Sequence, residues 1–286
     1  MSEAKIGIIG GSGLYKIEGM TEVEEVKITT PFGEPSDAII LGNLEGAKVA
    51  FLPRHGKGHR ISPSELPAKA NIYALKSLGV ERIISVTAVG SLKEKIKPPD
   101  LVIPDQLIDR TQGRDSTFFT NGIAAHIAFA EPFCPVLSQV LFEAATKAGA
   151  KVHKGGIHLA MEGPQFSTKA ESQLYRSWGA DIISMTALPE AKLAREAEIC
   201  YAVLAMVTDL DCWHPEYASV TTEIIFSNLQ KCVEAAKRIL KLLIPHIPQR
   251  RDCACPTALN DAIATEPEYI SDRAKEDLAL LIGKYL

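Results

Sequence analysis

The sequence predicts an α/β protein whose largely parallel strands are covered by helices on both sides. Short apolar, β-branched runs alternate along the chain with longer segments of helical period. The short runs are almost continuously hydrophobic, which is typical of strands buried on both faces of a sheet. Such β/α alternation favours a doubly wound sheet.

Seven segments are predicted as strands and five as helices. The strand-like runs are Lys5–Ile9, Lys48–Leu52, Arg82–Thr87, Leu101–Ile103, Gly156–Met161, Asp181–Met185 and Tyr201–Thr208. The helix candidates are Glu65–Leu78, Pro135–Lys147, Lys169–Trp178, Pro189–Glu198 and residues 222–244. Apolar residues recur at helical spacing in the last of these, so we expect one of its faces to be buried.

A break with three prolines, Ile244–Pro256, follows the last long helix. We therefore predict a main domain over residues 1–256 and a C-terminal appendage over residues 257–286. The appendage contains an amphipathic segment with Ala274, Leu278, Leu281, Ile282 and Tyr285 on one face. We expect this face to dock on the main body or on a sister subunit.

Composition excludes several classes of protein. The 286 residues include 31 basic and 35 acidic side chains, and this near-neutral balance argues against a nucleic-acid binder. The longest apolar run, Cys200–Val207, is far shorter than the roughly 18 residues that suggest a membrane span. The N-terminus does not resemble a secretory signal. We expect a cytoplasmic protein that binds neither nucleic acid nor membranes.

Gly10-Gly11-Ser12-Gly13 follows the first predicted strand. Adjacent glycines let the chain turn tightly and let an anion approach the main-chain N–H groups. The loop matches neither the G-x-G-x-x-G pattern nor the G-K-[ST] pattern, so phosphate or sulfate is favoured over NAD or ATP. The alternative is a tight turn in which Ser12 only caps a helix.

A second candidate, Pro53–Arg60, also follows a strand and contains Arg54, His55 and His59. Its three fixed cations and two imidazoles predict an electropositive loop suited to an anion. The alternatives are a solvated basic loop and a metal site. Since no third ligand lies near His55 and His59 in the sequence, we predict no metal.

Two carboxylates, Asp209 and Asp211, end the last apolar strand. On an extended backbone these side chains would point the same way and raise each other's pKa. The alternatives are a helix cap and a calcium site. In another strand-end loop, Phe166 could stack on a planar base or belong to the core.

Together these motifs resemble the 5′-methylthioadenosine phosphorylases, within the trimeric purine nucleoside phosphorylases, over roughly residues 5–256. The motifs are Gly10–Gly13, Thr30–Gly33, Arg54–Gly56, Thr87–Leu92, Ala130–Cys134, Glu162–Ser167, Met185–Thr186 and Thr208–Asp211. The resemblance implies a single-domain purine nucleoside phosphorylase-like fold, with a twisted mixed sheet flanked by helices on both faces.

The resemblance also implies an activity: phosphate attacks C1′ of the sugar and releases adenine and 5-methylthioribose 1-phosphate. It places phosphate on Ser12, Arg54, His55, Thr87, Ala88 and Thr186. The nucleoside is placed against Phe166, Ser167, Met185, Val220 and His126, with Asp209 and Asp211 at the purine as catalytic residues. No cofactor is implied, since phosphate is a co-substrate. His126 matches a histidine lent to the neighbouring subunit, which implies a homotrimer or a dimer of trimers.

Six cysteines in a cytoplasmic chain normally mean reduced thiols. Some heat-adapted relatives carry a pair similar to Cys253 and Cys255 and use disulfides, so bridges remain an alternative. We also expect Cys134 and Cys200 to lie near each other.

Three other functions stay open at this point. One is a phosphorylase of the same fold that acts on methylthioinosine or ordinary purine nucleosides. Another is a hydrolase, and the third is a non-catalytic nucleotide-binding module. The intact set of Arg54, Thr186, Asp209 and Asp211 argues against the module.

Overall fold

The computed structural model describes residues 4–11, 13–14, 18–214 and 222–286, and for residues 222–226 it describes the backbone alone. This part of the chain forms eleven strands and seven helices. The strands are β1 (Ile6–Gly10), β2 (Thr21–Val26), β3 (Ile39–Leu44), β4 (Ala47–Pro53), β5 (Arg82–Ser91), β6 (Leu101–Ile103), β7 (Gln106–Arg110), β8 (Val152–Lys154), β9 (Ile157–Met161), β10 (Ile182–Ser184) and β11 (Cys200–Asp209). The helices are α1 (Ala68–Ser77), α2 (Pro135–Lys147), α3 (Lys169–Ser177), α4 (Glu190–Glu196), α5 (Thr222–Leu243), α6 (Asp272–Asp277) and α7 (Ala279–Ile282).

All strands belong to one sheet that branches at β5. One path runs β2-β3-β4-β1-β5-β10-β9-β7, while β11 also pairs with β5 and continues to β6 and β8. Six pairings are parallel and four are antiparallel. The mixed sheet that the resemblance implied is therefore confirmed.

Helices cover both faces of the sheet, as predicted. Alternate residues of β11 enter two separate hydrophobic cores, because successive side chains of a strand point to opposite faces. Tyr201 and Val203 pack in the core that contains α1 and α4. Ala202 and Leu204 pack in the core that contains α2 and α5. Burial on both faces explains the continuous hydrophobicity of this strand.

All seven predicted strands and five predicted helices are present, with bounds that shift by a few residues at their ends. The sequence did not predict four further strands, which are β2, β3, β7 and β8. β2 reads Thr-Glu-Val-Glu-Glu-Val and is almost entirely exposed at the sheet edge. Its main-chain pairing with β3 stabilises a strand that its hydrophobicity does not predict.

The tail lies against the main body. Leu259, Ile270, Leu278 and Ile282 are buried in the same core as α1 and α4. The predicted amphipathic segment forms two short helices, α6 and α7, that meet at Leu278. The division into a domain over 1–256 and an appendage over 257–286 stays a prediction. No described helix is long and apolar enough to cross a bilayer.

Candidate active site

A cavity of about 570 Å³ opens where β1, β4, β5 and β11 end. Ligands of open α/β sheets bind at this edge. Ten of the predicted site residues line the cavity: Arg54, His55, Thr87, Ala88, Phe166, Ser167, Met185, Thr186, Asp209 and Asp211. Ser12 and Val220 lie outside the described residues. His126 is described but does not line this cavity.

Strand β5 runs along the whole cavity and contacts site residues at both of its ends. Ser85 contacts Arg54, Thr87 contacts Thr186, and Gly90 packs under Asp209. Because a strand rises about 3.3 Å per residue, Thr87 and Gly90 lie about 10 Å apart. The cavity thus has two ends, which we call the anion end (Arg54, His55, Thr87, Thr186) and the base end (Phe166, Ser167, Asp209, Asp211).

The guanidinium of Arg54 is buried and forms an ion pair with Glu190. Its Nε donates to Glu190 Oε1 at 2.5 Å, and Nη2 donates to Ser85 Oγ at 2.6 Å. Burial opposes charge on both groups, but their mutual attraction outweighs it. The pKa of Glu190 therefore lies below, and that of Arg54 above, its ordinary value. Nη1 donates to the carbonyl of Val86, which leaves its second N–H without a described acceptor.

His55 is uncharged at neutral pH. Burial, together with the charge of Arg54, lowers the pKa of its imidazole to about 4. Its Nδ1 lies 2.9 Å from the carbonyl oxygen of Ile61, to which it must donate. Nε2 of the neutral ring is consequently unprotonated and can accept a hydrogen bond. The ring of His59 stacks on that of His55 at 4.3 Å.

The prediction of an electropositive loop is wrong, because its fixed cations have acidic partners. Lys57 Nζ lies 2.6 Å from Glu25 Oε1, and Arg60 Nη2 lies 3.5 Å from Asp37 Oδ2. Arg54 lines the cavity, whereas Lys57 and Arg60 do not. The anion end is therefore close to neutral and offers mainly hydrogen bonds.

Two threonine hydroxyls meet at the anion end. Thr87 Oγ1 and Thr186 Oγ1 share a short hydrogen bond across the cavity. Behind them, Ser184 Oγ accepts from the Thr186 main-chain N–H at 3.2 Å and lies 2.7 Å from His158 Nε2. Burial lowers the pKa of His158 to about 3, so this supporting network is neutral.

A β-bulge positions Asp209. The register against β5 passes from Val207 opposite Val89 to Asp209 opposite Gly90, which leaves Thr208 as the extra residue. Asp209 Oδ2 accepts from Thr208 Oγ1 at 2.8 Å. A side chain at position 90 would collide with Asp209, because its Cβ would lie 2.9 Å from Oδ1.

Asp211 occupies a turn, not the strand. β11 ends at Asp209, and Asp211 has a φ of 44°. The prediction that both carboxylates extend from one strand in the same direction is therefore wrong. Instead, the main-chain N–H of Asp211 donates to Asp209 Oδ1 at 2.9 Å, and Ser172 Oγ donates to Asp211 Oδ2. Burial raises the pKa of both carboxyl groups, and the charge of Asp211 raises that of Asp209 further.

The remaining predicted residues complete the walls. Ser167 is buried, while Phe166 is 66% exposed at the rim. Gly163 allows Met185 to lie beneath the loop, because a Cβ there would stand 2.5 Å from the Met185 sulfur. His126 is exposed on a segment whose main chain pairs with the tail, where its N–H donates to the carbonyl of Ala262 at 2.8 Å.

Sequence reasoning missed the residues that hold the site together. Arg114 is one: Nη1 donates to the carbonyls of Met185 and Leu188, and Nε donates to Glu162 at 2.9 Å. Glu190 and Ser172 are two others. Arg114 stands alone in a loop, and no motif marks it. Glu190 could have been suspected only as a carboxylate at the start of a buried helix.

Comparison with known proteins gives consistent results. The model of the phosphorylase superfamily matches residues 5–245. S-methyl-5′-thioadenosine phosphorylase of Koribacter versatilis is 56% identical and covers 99% of this chain and 97% of its own. Methylthioadenosine phosphorylase from an antarctic soil metagenomic library superposes with a TM-score of 0.94 at 50% identity, covering 98% and 99% of the two chains. The Schistosoma mansoni enzyme in complex with adenine gives a TM-score of 0.82 at 34% identity, covering 98% of each chain.

Proposed function

Because the chain belongs to the S-methyl-5′-thioadenosine phosphorylases of the phosphorylase superfamily, we propose that it cleaves 5′-methylthioadenosine with inorganic phosphate. The products are adenine and 5-methylthioribose 1-phosphate. The proposal depends on one observation: the anion end and the base end belong to the same cavity. A hydroxyl-rich anion end lies about 10 Å along β5 from a buried carboxyl pair, which suits a nucleoside flanked by phosphate.

We propose that phosphate binds at the anion end. The hydroxyls of Thr87 and Thr186, the free N–H of Arg54 and the main-chain amide of Ala88 are its donors. Nε2 of neutral His55 accepts a hydrogen bond from the hydroxyl group that phosphate retains at neutral pH. The strand ends fix the positions of these donors, so only a threonine hydroxyl has to rotate out of the bond between Thr87 and Thr186 to hold phosphate oriented toward C1′. The reaction needs no cofactor, because phosphate itself is the nucleophile.

We propose that Asp209 acts as the general acid. As a phosphate oxygen bonds to C1′, the bond from C1′ to N9 breaks and its electron pair stays on the purine. The sugar becomes positively charged in the transition state, where the phosphate anion stabilises it. A protonated Asp209 gives its proton to N7, and its raised pKa suits this role. Asp211 lies beside it to recognise the purine edge.

The oligomer and its compartment belong to the same proposal. We propose a homotrimer in which His126 reaches a neighbouring subunit's cavity. Exposure of His126 outside its own cavity and of Phe166 at the cavity rim supports this arrangement. We also propose a cytoplasmic location, which suits the free thiols of the chain.

The decisive experiment measures adenine release from methylthioadenosine with and without phosphate. We expect release only when phosphate is present, with equimolar pentose 1-phosphate. Release in both conditions would show a hydrolase, and release in neither would show a binding module. Parallel assays with methylthioinosine, adenosine and inosine identify the preferred nucleoside, which we expect to be methylthioadenosine.

A further inference from the structure

Four of the six cysteines converge on one point in the fold. The sulfur atoms of Cys134, Cys200, Cys253 and Cys255 all lie within 4.8 Å of one another. Three of these side chains are buried and Cys253 is half-buried. The other two cysteines, Cys212 and Cys232, belong to the active-site turn and to α5.

The main chain places these sulfurs from three separate segments. Cys134 caps the N-terminus of α2, and its N–H donates to the carbonyl of Tyr201 at 2.8 Å. Cys200 starts β11, where its N–H donates to the carbonyl of Glu81 at 2.9 Å. The segment after α5 brings Cys253 and Cys255 onto this pair. Residues so far apart in sequence form a cluster that the C-x-C spacing alone does not predict.

The four thiols form one group and not two separate pairs. Cys200 Sγ lies 3.5 Å from Cys253 Sγ, a contact that joins β11 to the C-terminal segment. Cys134 Sγ lies within 4.8 Å of each of the other three sulfurs, so no pair stands apart from the rest. In a tetrahedral zinc site with Zn–S bonds of about 2.3 Å, the sulfurs stand about 3.8 Å apart. The spacing in this cluster brackets that value.

The surroundings suit a negatively charged centre. The main-chain N–H of Leu137 donates to Cys134 Sγ at 3.5 Å, at the positive end of the α2 dipole. Arg82, Arg250 and Arg251 line a small cavity beside Cys134, Cys200 and Cys253. Two carboxylates face these three cations, since Glu81 contacts Arg82 and Arg251, and Asp252 contacts Arg250. Fixed positive charge therefore exceeds negative charge there before any thiol ionises.

We propose that the four thiolates bind one Zn²⁺ ion as a structural site. Four thiols release four protons on binding, and the resulting dianionic centre is neutralised in part by the arginines. Four sulfur ligands leave no open position, which is typical of structural and not catalytic zinc. Cys200 and Asp209 stand at opposite ends of β11, about 30 Å apart. The ion thus joins the C-terminal segment to α2 and the sheet, independently of the proposed function.

The wild-type protein tests this directly. The chain is produced in zinc-containing medium and purified without chelator or reductant. Elemental analysis is then combined with thiol titration after unfolding in EDTA without reductant. We expect one zinc per chain and six reactive thiols. Iron or copper in place of zinc, no metal at all, or a deficit of two or four thiols that indicates disulfides would each overturn the proposal.

A matched pair of variants locates the site. Reduced, metal-free protein is titrated with Co²⁺, whose visible absorption reports tetrahedral thiolate ligation. We expect Cys253→Ser, on the half-buried ligand, to lose these bands and to weaken cobalt binding at least about tenfold. Cys232→Ser, outside the cluster, should match the wild type in both respects. Retention of wild-type spectra and affinity by Cys253→Ser would contradict the proposal.

Discussion

Gly90 and Asp209 touch across the branch of the sheet, because β5 and β11 pair there at the bulge. The position that a Cβ of residue 90 would take lies 2.9 Å from Asp209 Oδ1. We expect Gly90→Ala to displace Asp209 and to lower kcat roughly tenfold or more, since misplacement of about 1 Å can cost 10²-fold. KM for phosphate should stay near the wild-type value, because the anion end lies about 10 Å away. A loss confined to the phosphate KM would refute this separation.

Asp209→Asn removes the proposed acid but preserves the shape of the side chain. General acid catalysis contributes typically 10²–10⁴-fold, so we expect kcat with methylthioadenosine to fall by roughly 10² or more. Because an amide can donate a hydrogen bond to a 6-oxo group whereas a carboxylate can only accept, the ratio of kcat/KM for inosine over methylthioadenosine should rise. An unchanged ratio would argue against Asp209 as the determinant of base preference.

The same carboxyl group predicts a pH dependence. Burial raises the pKa of Asp209, so its acid form persists to higher pH than that of an ordinary aspartate. The rate should fall as pH rises through this pKa, because the proton donor is lost. Kinetics of the wild type over pH 5 to 9 would show this descending limb. In Asp209→Asn the limb should disappear, and its persistence would assign it to another group.

Glu190→Gln tests the buried ion pair. Removal of one partner from a buried pair costs about 3–5 kcal/mol, since the other charge is left unpaired. We expect a loss of about 3 kcal/mol in the free energy of unfolding, measured with urea. Glu25→Gln, which breaks the exposed pair with Lys57, should change it far less, because solvent screens the charges of an exposed pair. Similar small losses in both variants would mean that Glu190 does not balance Arg54.

Glu196 predicts a pH-dependent stability. Burial raises the pKa of its carboxyl group to about 7, although Phe118 N–H and Thr117 Oγ1 both donate to it at 2.7 Å. The folded chain therefore retains a proton that the unfolded chain loses near pH 4.5. This contribution to stability is full below pH 4.5 and is lost as pH rises to 7, by about 3 kcal/mol. Unfolding midpoints of Glu196→Gln should lack this part of the pH dependence, whereas exposed Glu94→Gln should retain it.

Hydrophobic pattern made the main elements predictable, because β1, β5 and β11 are apolar on both faces and their helices are amphipathic. The pattern could not predict β2, which is exposed and is held by main-chain pairing with β3. Ten of the site residues predicted from the sequence line one cavity, because strand ends converge at the sheet edge. The partners of those residues were not predictable. Only tertiary hydrogen bonds connect these partners, Glu190, Arg114 and Ser172, to the site.

The branch of the sheet at β5 limits how the preference for one base over another can change. In the proposed arrangement, the separation between phosphate and the leaving purine follows from the rise per residue of one continuous strand, β5. If the proposed roles hold, we expect substitutions at Asp209, Asp211 or the Phe166 loop to exchange one heterocycle for another of similar size and to leave the bound phosphate undisturbed. A leaving group of different reach would instead require an insertion or deletion within β5, which would shift its pairing with β1, β10 and β11 together. Enzymes with this architecture could therefore change which base they cleave by a few substitutions. The distance between the base and the attacking phosphate would stay nearly constant.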